Sequence, residues 1–344
     1  MTTEIRAVPL PRDTSQPYQA LGAVPVRAEG LSKTFGSEVA VDQLTFDVPE
    51  GAIFGLIGPS GSGKTTAIRL MTGIYEPTAG TVKVFGLSPH KFNSTVRRRL
   101  GYMPQQFVLY PDLSVWENMH FAAALYGMGL RRGARLKQLL EFVELDNHRG
   151  KLARNISGGM QRRLSLAATL AHDPRLVFLD EPTAGIDPIL RAKFWDYFKE
   201  MRGRGRTLLV TTQYVGEAAY CDLVGVMAEG RLLMVETPEG MRKRAYGGEV
   251  VDLQAMRPLD YRTVSQIRDL PFVVGRIQPL GDSGLRIVVD DAGTAVPELV
   301  EWAGNNALEV RAIEKFEAPL DDVFVEIVKQ EQKDQLEPKE QSRG

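Results

Sequence analysis

The chain has 344 residues, of which 43% are hydrophobic and 25% are charged. This length and composition are typical of a globular protein with two domains. The 42 basic and 43 acidic side chains give a formal net charge of -1. That balance argues against a chain dominated by nucleic-acid binding, since proteins that bind a phosphate backbone usually carry a basic excess.

The sequence indicates a reducing compartment and contains no membrane-spanning run. Cys221 is the one cysteine, so an intrachain disulfide is excluded. No apolar run approaches the roughly 20 residues needed to cross a bilayer, and the N-terminus lacks the basic-then-apolar pattern of a secretory signal. We therefore expect a cytoplasmic protein that reaches a membrane only through a partner.

The N-terminal part of the chain predicts an arm followed by the start of a parallel sheet. Residues 1–24 combine prolines with polar side chains and predict a flexible arm. The alternating stretches VRAEGLSKTF and VAVDQLTFDV predict two strands. The apolar run GAIFGLIG predicts a buried strand that ends in a glycine-rich turn, and KTTAIRLMTGI predicts a helix. Strand, turn and helix in this order form the first βα unit of a parallel sheet.

The middle of the chain, residues 114–154, predicts an inserted helical subdomain. Ser114 is followed three residues later by Glu117, which is the pattern of a capping box at a helix start. Leu136 and Leu139 share one face of a second helix.

Sheet-forming patterns return in RLVFLDE and TLLVTTQ and complete a first domain over 25–246. The composition then changes near Gly247 and Gly248. Residues 249–329 predict strand, helix, strand, strand, helix, strand and helix, the order of a small accessory α+β domain. Residues 330–344 are charged, lack an apolar face and are predicted to be disordered.

A glycine-rich stretch, GPSGSGKTT, matches the phosphate-loop pattern G-x-x-x-x-G-K-[ST] between the predicted strand and helix. Its glycines permit backbone angles that turn successive N–H groups inward to form an anion-binding nest. Lys64 supplies a cation for the β- and γ-phosphates of a nucleotide, and the Thr65 hydroxyl is placed to ligate Mg²⁺. The whole stretch is therefore expected to bind nucleotide: Gly58, Pro59, Ser60, Gly61, Ser62, Gly63, Lys64, Thr65 and Thr66.

Two acids, Asp180 and Glu181, end the apolar strand RLVFLDE. An acid at the carboxyl end of a sheet strand lies beside the phosphate loop, where Asp180 can hold the metal through water. Glu181 is then positioned as the general base for an attacking water. The phosphate loop and the acid pair together indicate a nucleoside triphosphatase.

A second glycine loop, NISGGMQ, precedes an amphipathic helix. Ser157, Gly158 and Gly159 can present N–H groups and a hydroxyl to phosphate, yet one chain has no need of two phosphate-facing helix starts around one nucleotide. A second copy of the chain resolves this, because its loop can close over the nucleotide that the first copy holds. Taken alone, the same residues fit a plain helix start capped by Ser157 better than a phosphate site.

With its motifs in this order, the stretch 26–245 resembles the ATP-binding subunits of ABC transporters. GPSGSGKTT is similar to the Walker A loop, GYMPQQ to the Q-loop with Gln105, ISGGMQ to the signature, LVFLDEP to the Walker B strand and AGID to the D-loop with Asp187. Phe35 falls at the aromatic position that stacks on adenine in this family, although by itself it fits a core residue at a strand edge equally well. The resemblance implies an α/β fold, with a P-loop NTPase core, an antiparallel β edge and an inserted helical subdomain, followed here by the small C-terminal α+β domain.

The resemblance also implies cofactors and partners. Two ATPase subunits, copies of this chain or related chains, would pair head to tail around two ATP and Mg²⁺. Each nucleotide would lie between Walker A of one subunit and residues 157–159 of the other. Asp187 would align the opposing site, and Gln105 would contact Mg²⁺ or the lytic water. Residues 114–154 would form the groove that receives a helix of an integral-membrane permease on a separate chain.

We therefore expect the ATP-hydrolysing motor of an exporter, bound through its permease to the cytoplasmic face of the cell membrane and without a nucleic-acid partner. The stretch APLDDVFVEIV is similar to the closing helix of drug- and lipid-type exporter subunits. The C-terminal domain would join or regulate the two subunits, or serve as a stabilising cap.

Two other functions are alternatives to the exporter motor. One is a soluble ABC-type ATPase of translation or DNA repair, which the single Walker A and the lack of sustained heptads disfavour. The other is a nucleotide sensor without turnover.

Gln213, at the end of the predicted strand TLLVTTQ, stands where the family has a histidine that contacts the γ-phosphate. A neutral histidine donates one hydrogen bond, whereas a glutamine amide donates two and accepts but cannot become cationic. The other catalytic positions are retained, so we interpret Gln213 as a substitute donor, with a polar loop residue that has no phosphate contact as the alternative. Catalytic roles are thus expected for Lys64, Gln105, Glu181 and Gln213, and metal contacts for Thr65, Gln105 and Asp180.

We predict that Gln213→His retains ATPase activity and that Gln213→Ala lowers it. Loss of one transition-state hydrogen bond costs about 3 kcal/mol, whereas replacement by another donor costs less. Phosphate release by the purified variants measures both effects. Equal rates for Gln213→Ala and the wild type would refute the phosphate contact.

Overall fold

A computed structural model of the chain describes residues 24–129 and 132–341, without the side chains of 332–341. The arm predicted for 1–24 lies outside the described residues except for Val24. Within the described ranges, no helix is both long and apolar enough to cross a membrane.

Strands and helices alternate along most of the chain. The strands are β1 Val26–Phe35, β2 Glu38–Val48, β3 Ile53–Ile57, β4 Ala79–Val84, β5 Leu100–Met103, β6 Leu176–Asp180, β7 Thr207–Thr212, β8 Leu223–Ala228, β9 Arg231–Glu236, β10 Glu249–Ala255, β11 Val273–Leu280, β12 Gly284–Val289 and β13 Val310–Lys315. The α-helices are α1 Lys64–Met71, α2 Ser94–Arg97, α3 Val115–Leu125, α4 Gly133–Phe142, α5 Gly158–Leu170, α6 Pro188–Gly203, α7 Pro238–Tyr246, α8 Tyr261–Arg268, α9 Ala292–Asn305 and α10 Leu320–Gln341. A 3₁₀ helix, Val215–Tyr220, follows β7.

A six-stranded sheet in the order β5-β6-β7-β3-β8-β9 carries the predicted motifs. Its neighbouring strands are parallel except for β8 and β9. Strands β3, β6 and β7 are buried along their whole length, which accounts for their largely apolar sequences. Because the carboxyl ends of parallel strands meet at one edge, the phosphate loop after β3, the acids at the end of β6 and Gln213 after β7 become neighbours.

The side chains of β3 alternate between the two faces of this sheet and so contribute to two cores. Phe54 and Leu56 belong to a cluster with α1 and with the antiparallel sheet β2-β1-β4. Ile53 and Ile57 belong to a cluster with α3, α4, α5 and α6. The predicted antiparallel edge and the predicted helical block are thus packed on opposite faces of the sheet.

A second antiparallel sheet, β11-β12-β10-β13, follows the first. Helices α8 and α9 contribute to its core, in which Leu253, Ile287 and Leu299 are buried. The elements from β10 to α10 follow the predicted order. The predicted fold class is therefore confirmed, with an α/β core, an antiparallel edge, an inserted helical block and an added C-terminal α+β unit. The exact domain boundaries stay predictions.

The last helix, α10, returns to the core of the six-stranded sheet and packs against α7 and the 3₁₀ helix after β7. Leu320 and Val323 of α10 are buried in the same cluster as Val215 and Ala218 of that 3₁₀ helix. The C-terminal elements therefore contact the segment that directly follows Gln213.

The structure differs from the predicted disorder at the C-terminus, because α10 continues to Gln341. Residues 330–341 are rich in glutamate, lysine and glutamine, which are strong helix formers. A helix that is already anchored by packing can extend through such a stretch without an apolar face. Residues 342–344 of the predicted tail lie outside the described part of the chain.

Glu249, at the start of β10, ties the C-terminal sheet to α7. Its carboxylate lies 2.9 Å from Lys243 Nζ of α7 and 3.3 Å from Lys315 Nζ of β13, and it accepts a hydrogen bond of 2.8 Å from the Ala292 N–H. Burial alone would raise the pKa of Glu249, but the hydrogen bonds from Lys243, Ala292 and Lys315 outweigh burial and lower the pKa to about 2.

Glu249→Gln is expected to lower the free energy of unfolding by about 2 kcal/mol at pH 7, because the carboxylate in the folded state is more stable than in the unfolded chain. A lowered folded-state pKa gives stability that is present above the unfolded value of 4.5 and is lost as the pH falls towards about 2. Urea denaturation of both proteins across this pH range measures the difference, with Glu301→Gln on the exposed side of α9 as the control. A difference that stays constant with pH would contradict the role of the charge.

Candidate functional site

The phosphate loop runs from the end of β3 into α1 and passes very close to β2. Gly63, the N-cap of α1, has a φ of 95°, and a Cβ at this position would lie 2.5 Å from the Ala40 carbonyl oxygen. A side chain here would therefore meet both backbone strain and a steric clash. This accounts for the glycine at the position that begins the helix.

Lys64 is folded back onto its own loop. Its Nζ donates hydrogen bonds to the carbonyl oxygens of Gly58 and Pro59, both at 2.8 Å, and to Ser62 Oγ at 3.3 Å. The side chain is only 4% exposed. Burial lowers the pKa of Lys64, and the nearby carboxylates of Glu181 and Asp180 oppose that effect.

Asp180 shows a polar environment that fits a divalent cation. Its Oδ1 accepts hydrogen bonds from Thr65 Oγ1 at 3.0 Å and from Thr211 Oγ1 at 2.7 Å. Its Oδ2 is buried and has no hydrogen-bond partner among the described residues. A buried carboxylate oxygen normally has a partner, and Mg²⁺ is typically bound by one or two carboxylates together with waters and substrate phosphates. The residues predicted to contact the metal therefore fit it chemically.

Glu181 is held in a conformation that is rare for a residue with a side chain. Its φ is 51°, in the left-handed region. Its N–H donates to Thr211 at both the carbonyl oxygen (3.1 Å) and Oγ1 (3.0 Å), and Gln105 Nε2 donates to Glu181 Oε2 at 3.1 Å. Backbone strain that is held in place by neighbouring residues is characteristic of functional sites.

Gln213 contacts the phosphate loop directly. Ser60 Oγ donates a hydrogen bond of 2.9 Å to Gln213 Oε1. Across the part of the chain that the structure describes, nothing accepts a hydrogen bond from the Gln213 amide nitrogen, and the side chain is exposed. The amide is thus oriented with its acceptor towards Ser60 and its two donors available to another group.

A cavity of about 560 Å³ connects the phosphate loop with Phe35. Phe35 is 43% exposed and lies edge-on to Tyr75 at a ring separation of 5.2 Å. This exposure argues against the alternative that Phe35 is a core residue. The cavity also has walls that no motif in the sequence indicates, from the start of β2 and from the β8–β9 turn. They are Glu38, Val39, Ala40, Glu229 and Gly230.

The predicted signature and D-loop residues lie outside this cavity. Ser157 caps α5, with its Oγ accepting from Met160 N–H at 3.3 Å, and Asp187 caps α6. Ser157, Gly158 and Asp187 are exposed. A Cβ on Gly159 would lie 3.8 Å from the Gly185 carbonyl oxygen, so the two loops are close to each other. The structure therefore brings the signature loop, which precedes β6, close to the D-loop, which follows it. It does not bring Ser157 into the cavity of the phosphate loop of the same chain.

Comparison with known proteins identifies the family. The family model described as ABC transporter matches residues 41–184. Nod factor export ATP-binding protein I of Burkholderia thailandensis is 33% identical over 316 residues, which cover 91% of this chain and 100% of that protein. This chain belongs to the ATP-binding proteins of ABC transporters. The probable multidrug ABC transporter ATP-binding protein YbhF of Escherichia coli is 36% identical over 232 residues, which cover 67% of this chain but 40% of YbhF. The chain thus matches less than half the length of that relative.

Solved structures of the family share the core of this fold. An ATP-binding subunit of an ABC transporter superposes with a TM-score of 0.60 and 27% identity, covering 64% of this chain and 93% of that one. The ATP-binding cassette MJ0796, in a dimeric post-hydrolysis state bound to ADP and Pi, superposes with a TM-score of 0.58 and 25% identity over 62% of this chain and 98% of that one.

Thr211→Val is expected to weaken the binding of ATP in the presence of Mg²⁺ about tenfold, because it removes the hydroxyl that orients Asp180 and accepts from the Glu181 N–H. Thr211→Ser keeps that hydroxyl and is expected to bind like the wild type. Titration with ATP in Mg²⁺ and again in EDTA isolates the metal-dependent part. An equal loss of affinity in both solutions would contradict a role for Thr211 at the metal-binding carboxylate.

Proposed function

We propose that this chain is the motor subunit of an exporter. It binds ATP and Mg²⁺ at the cavity of the phosphate loop and hydrolyses ATP as one of two head-to-tail subunits at the cytoplasmic face of a membrane. A separate permease moves the cargo. The observation that carries the proposal is that Lys64, Asp180, Glu181 and Gln213 meet at one edge of the six-stranded sheet. A cation, a metal-binding carboxylate, a base and a neutral donor are the groups that phosphoryl transfer to water requires.

Lys64 and the N–H groups of the 58–66 loop bind the phosphates in this proposal. The ammonium exchanges its hydrogen bonds to Gly58 and Pro59 for phosphate oxygens, which are stronger acceptors because they are charged. Phe35 stacks on the adenine, which its exposure and its place in the same cavity support.

Glu181 and Gln213 act on the reacting atoms. Glu181 orients the attacking water and accepts its proton, and its strained backbone together with the Gln105 contact holds the carboxylate in place for that step. Gln213 donates from its amide nitrogen to the γ-phosphate, since its oxygen is already bonded to Ser60. The alternative, a polar residue without a phosphate contact, is disfavoured by that bond to the phosphate loop.

Thr65 and Asp180 hold Mg²⁺ in this proposal, with Gln105 as a further contact. The partnerless Oδ2 of Asp180 supports a ligand at that atom, either direct or through water. When bound, Mg²⁺ neutralises charge on the phosphate oxygens.

A second subunit completes the site. Four residues of the signature and D-loop lie outside the cavity of their own chain: Ser157, Gly158, Gly159 and Asp187. All of them except the half-buried Gly159 are exposed. They are therefore available to the nucleotide of a neighbour, where the helix start at Ser157 offers N–H groups to the γ-phosphate. The relative MJ0796 was solved in a dimeric state, which supports the same arrangement here.

The permease is proposed to dock beside the helical block. A groove of about 430 Å³ lies between α3, α2 and the six-stranded sheet. It presents Ile74 and Leu125, which are 53% and 69% exposed, next to Arg97 and Arg98. An apolar floor with a basic rim fits an amphipathic helix from a membrane protein.

Glu181→Gln protein, purified from membranes in ATP, is expected to release no phosphate, to stay dimeric and to bring with it a polytopic protein of about six spans. The amide keeps the shape of the carboxylate but cannot accept the proton. Size-exclusion chromatography and phosphate assays measure the outcome, with the exposed Glu50→Gln as the matched control.

Each part of the proposal has its own contrary result. Unchanged phosphate release by Glu181→Gln refutes the role of the base. A protein that binds ATP but stays single at every concentration refutes the paired site. A dimer that carries no membrane protein favours the soluble ATPase, and a wild type without turnover favours the sensor.

A further inference from the structure

Arg191 lies in the first turn of α6, just behind the D-loop, residues 184–187. Its Nη2 donates a hydrogen bond of 3.3 Å to the carbonyl oxygen of Ile186. The side chain does not line the cavity of the phosphate loop. Arg191 therefore holds the D-loop from behind without reaching the proposed nucleotide.

The same guanidinium lies over the residue that follows Gln213. The Arg191 Cζ is 4.5 Å from the ring centroid of Tyr214, well within the range of a cation–π contact. Tyr214 is 38% exposed and its N–H donates to Thr212 Oγ1 at 3.0 Å. The position of the Tyr214 ring, and with it the backbone at Gln213, is thus set on one side by Arg191.

A buried carboxylate completes the connection. Glu217 is 3% exposed, and its Oε1 lies 3.7 Å from Arg191 Nε. Its Oε2 accepts a hydrogen bond of 3.1 Å from Thr183 Oγ1, two residues after Glu181. For neither Arg191 Nε nor Glu217 Oε1 do the described residues supply a hydrogen bond, so each faces the other as its nearest opposite charge. Arg191 and Glu217 together link the segments that hold the D-loop, Glu181 and Gln213.

We propose that Arg191 is a positioning residue that fixes Gln213 relative to Glu181 and makes that geometry depend on the D-loop. This inference rests on the proposed ATPase function. A planar guanidinium can stack on a ring, bond a carbonyl and face a carboxylate at the same time, because its donors lie in one rigid fork. Lysine carries the same charge but has a single ammonium that cannot make all three contacts. A displacement of Ile186 by a second subunit would move the guanidinium, and the Tyr214 ring would follow.

The test distinguishes the stacking of Arg191 on Tyr214 from the positive charge of Arg191 and from an effect on folding. Arg191→Lys keeps a cation opposite Glu217, and we expect it to lower kcat about tenfold while the KM for ATP changes less than about twofold. Tyr214→Leu removes the ring and is expected to lower kcat by a similar factor, whereas Tyr214→Phe keeps the ring and stays close to the wild type. The double variant Arg191→Lys/Tyr214→Leu should be no slower than either single variant by more than about twofold, because both remove one shared contact.

Arg204→Lys provides the matched control, because Arg204 lies just after α6 and forms its one ion pair within the described part of the chain with Glu200, at the surface. Unchanged kcat in Arg191→Lys and Tyr214→Leu, with an active wild type, would overturn this inference alone. The inference would also be overturned if the two reductions in kcat multiplied in the double variant, or if the KM for ATP rose in step with the fall in kcat. Should Arg191→Lys fail to fold, the comparison of Tyr214→Leu with Tyr214→Phe still tests the inference, because this half-exposed side chain can be changed with little effect on folding. A wild type that does not hydrolyse ATP would instead overturn the proposed function.

Discussion

The hydroxyl of Thr211 is the contact on which the geometry of the site depends. It donates to Asp180 Oδ1 and accepts from the N–H of Glu181, so one small side chain on β7 contacts both Asp180, the last residue of β6, and Glu181, which follows it. The parallel register pairs Asp180 with Thr211 and thereby sets this arrangement. Once Asp180 is held, its Oδ1 also positions the Thr65 hydroxyl at the start of α1. Two strands of the sheet and the helix after the phosphate loop are thus connected through two hydroxyls and one carboxylate.

Much of the fold follows from sequence patterns that have a direct physical basis. The apolar runs of β3 and β6 predict buried strands, and the glycine-rich stretch between strand and helix predicts the loop that the structure places before α1. The order of elements from β10 to α10 is also predictable from alternation and periodicity. Short strands such as β5 carry too few residues to show a period. The helical end of the chain was not predictable from its lack of an apolar face, because helix propensity and an anchored start are sufficient there.

The residues that the sequence does not indicate are those whose roles depend on tertiary contacts. Thr211 precedes Gln213 by two positions and belongs to no local pattern, yet it is bonded to both acids. In the sequence Arg191 resembles any charged residue in the first turn of a helix, and its position over the Tyr214 ring is set by the fold. The serine-glycine loop, by contrast, suggested a second subunit only together with the family resemblance, because taken alone it fits a plain helix start capped by Ser157. In the structure Ser157 caps α5 and lies outside the cavity of its own chain, so its contact with a neighbour's nucleotide stays a prediction.

The packing of α10 has a consequence for how the molecule can be divided. Leu320 and Val323 form part of the hydrophobic support for the 3₁₀ helix after β7. A chain shortened to its ATPase-like core would therefore expose Val215 and Ala218 to solvent immediately behind Gln213. The C-terminal extension thus shields apolar side chains of the segment that follows Gln213, and a shortened chain would need polar substitutions at these positions to stay soluble.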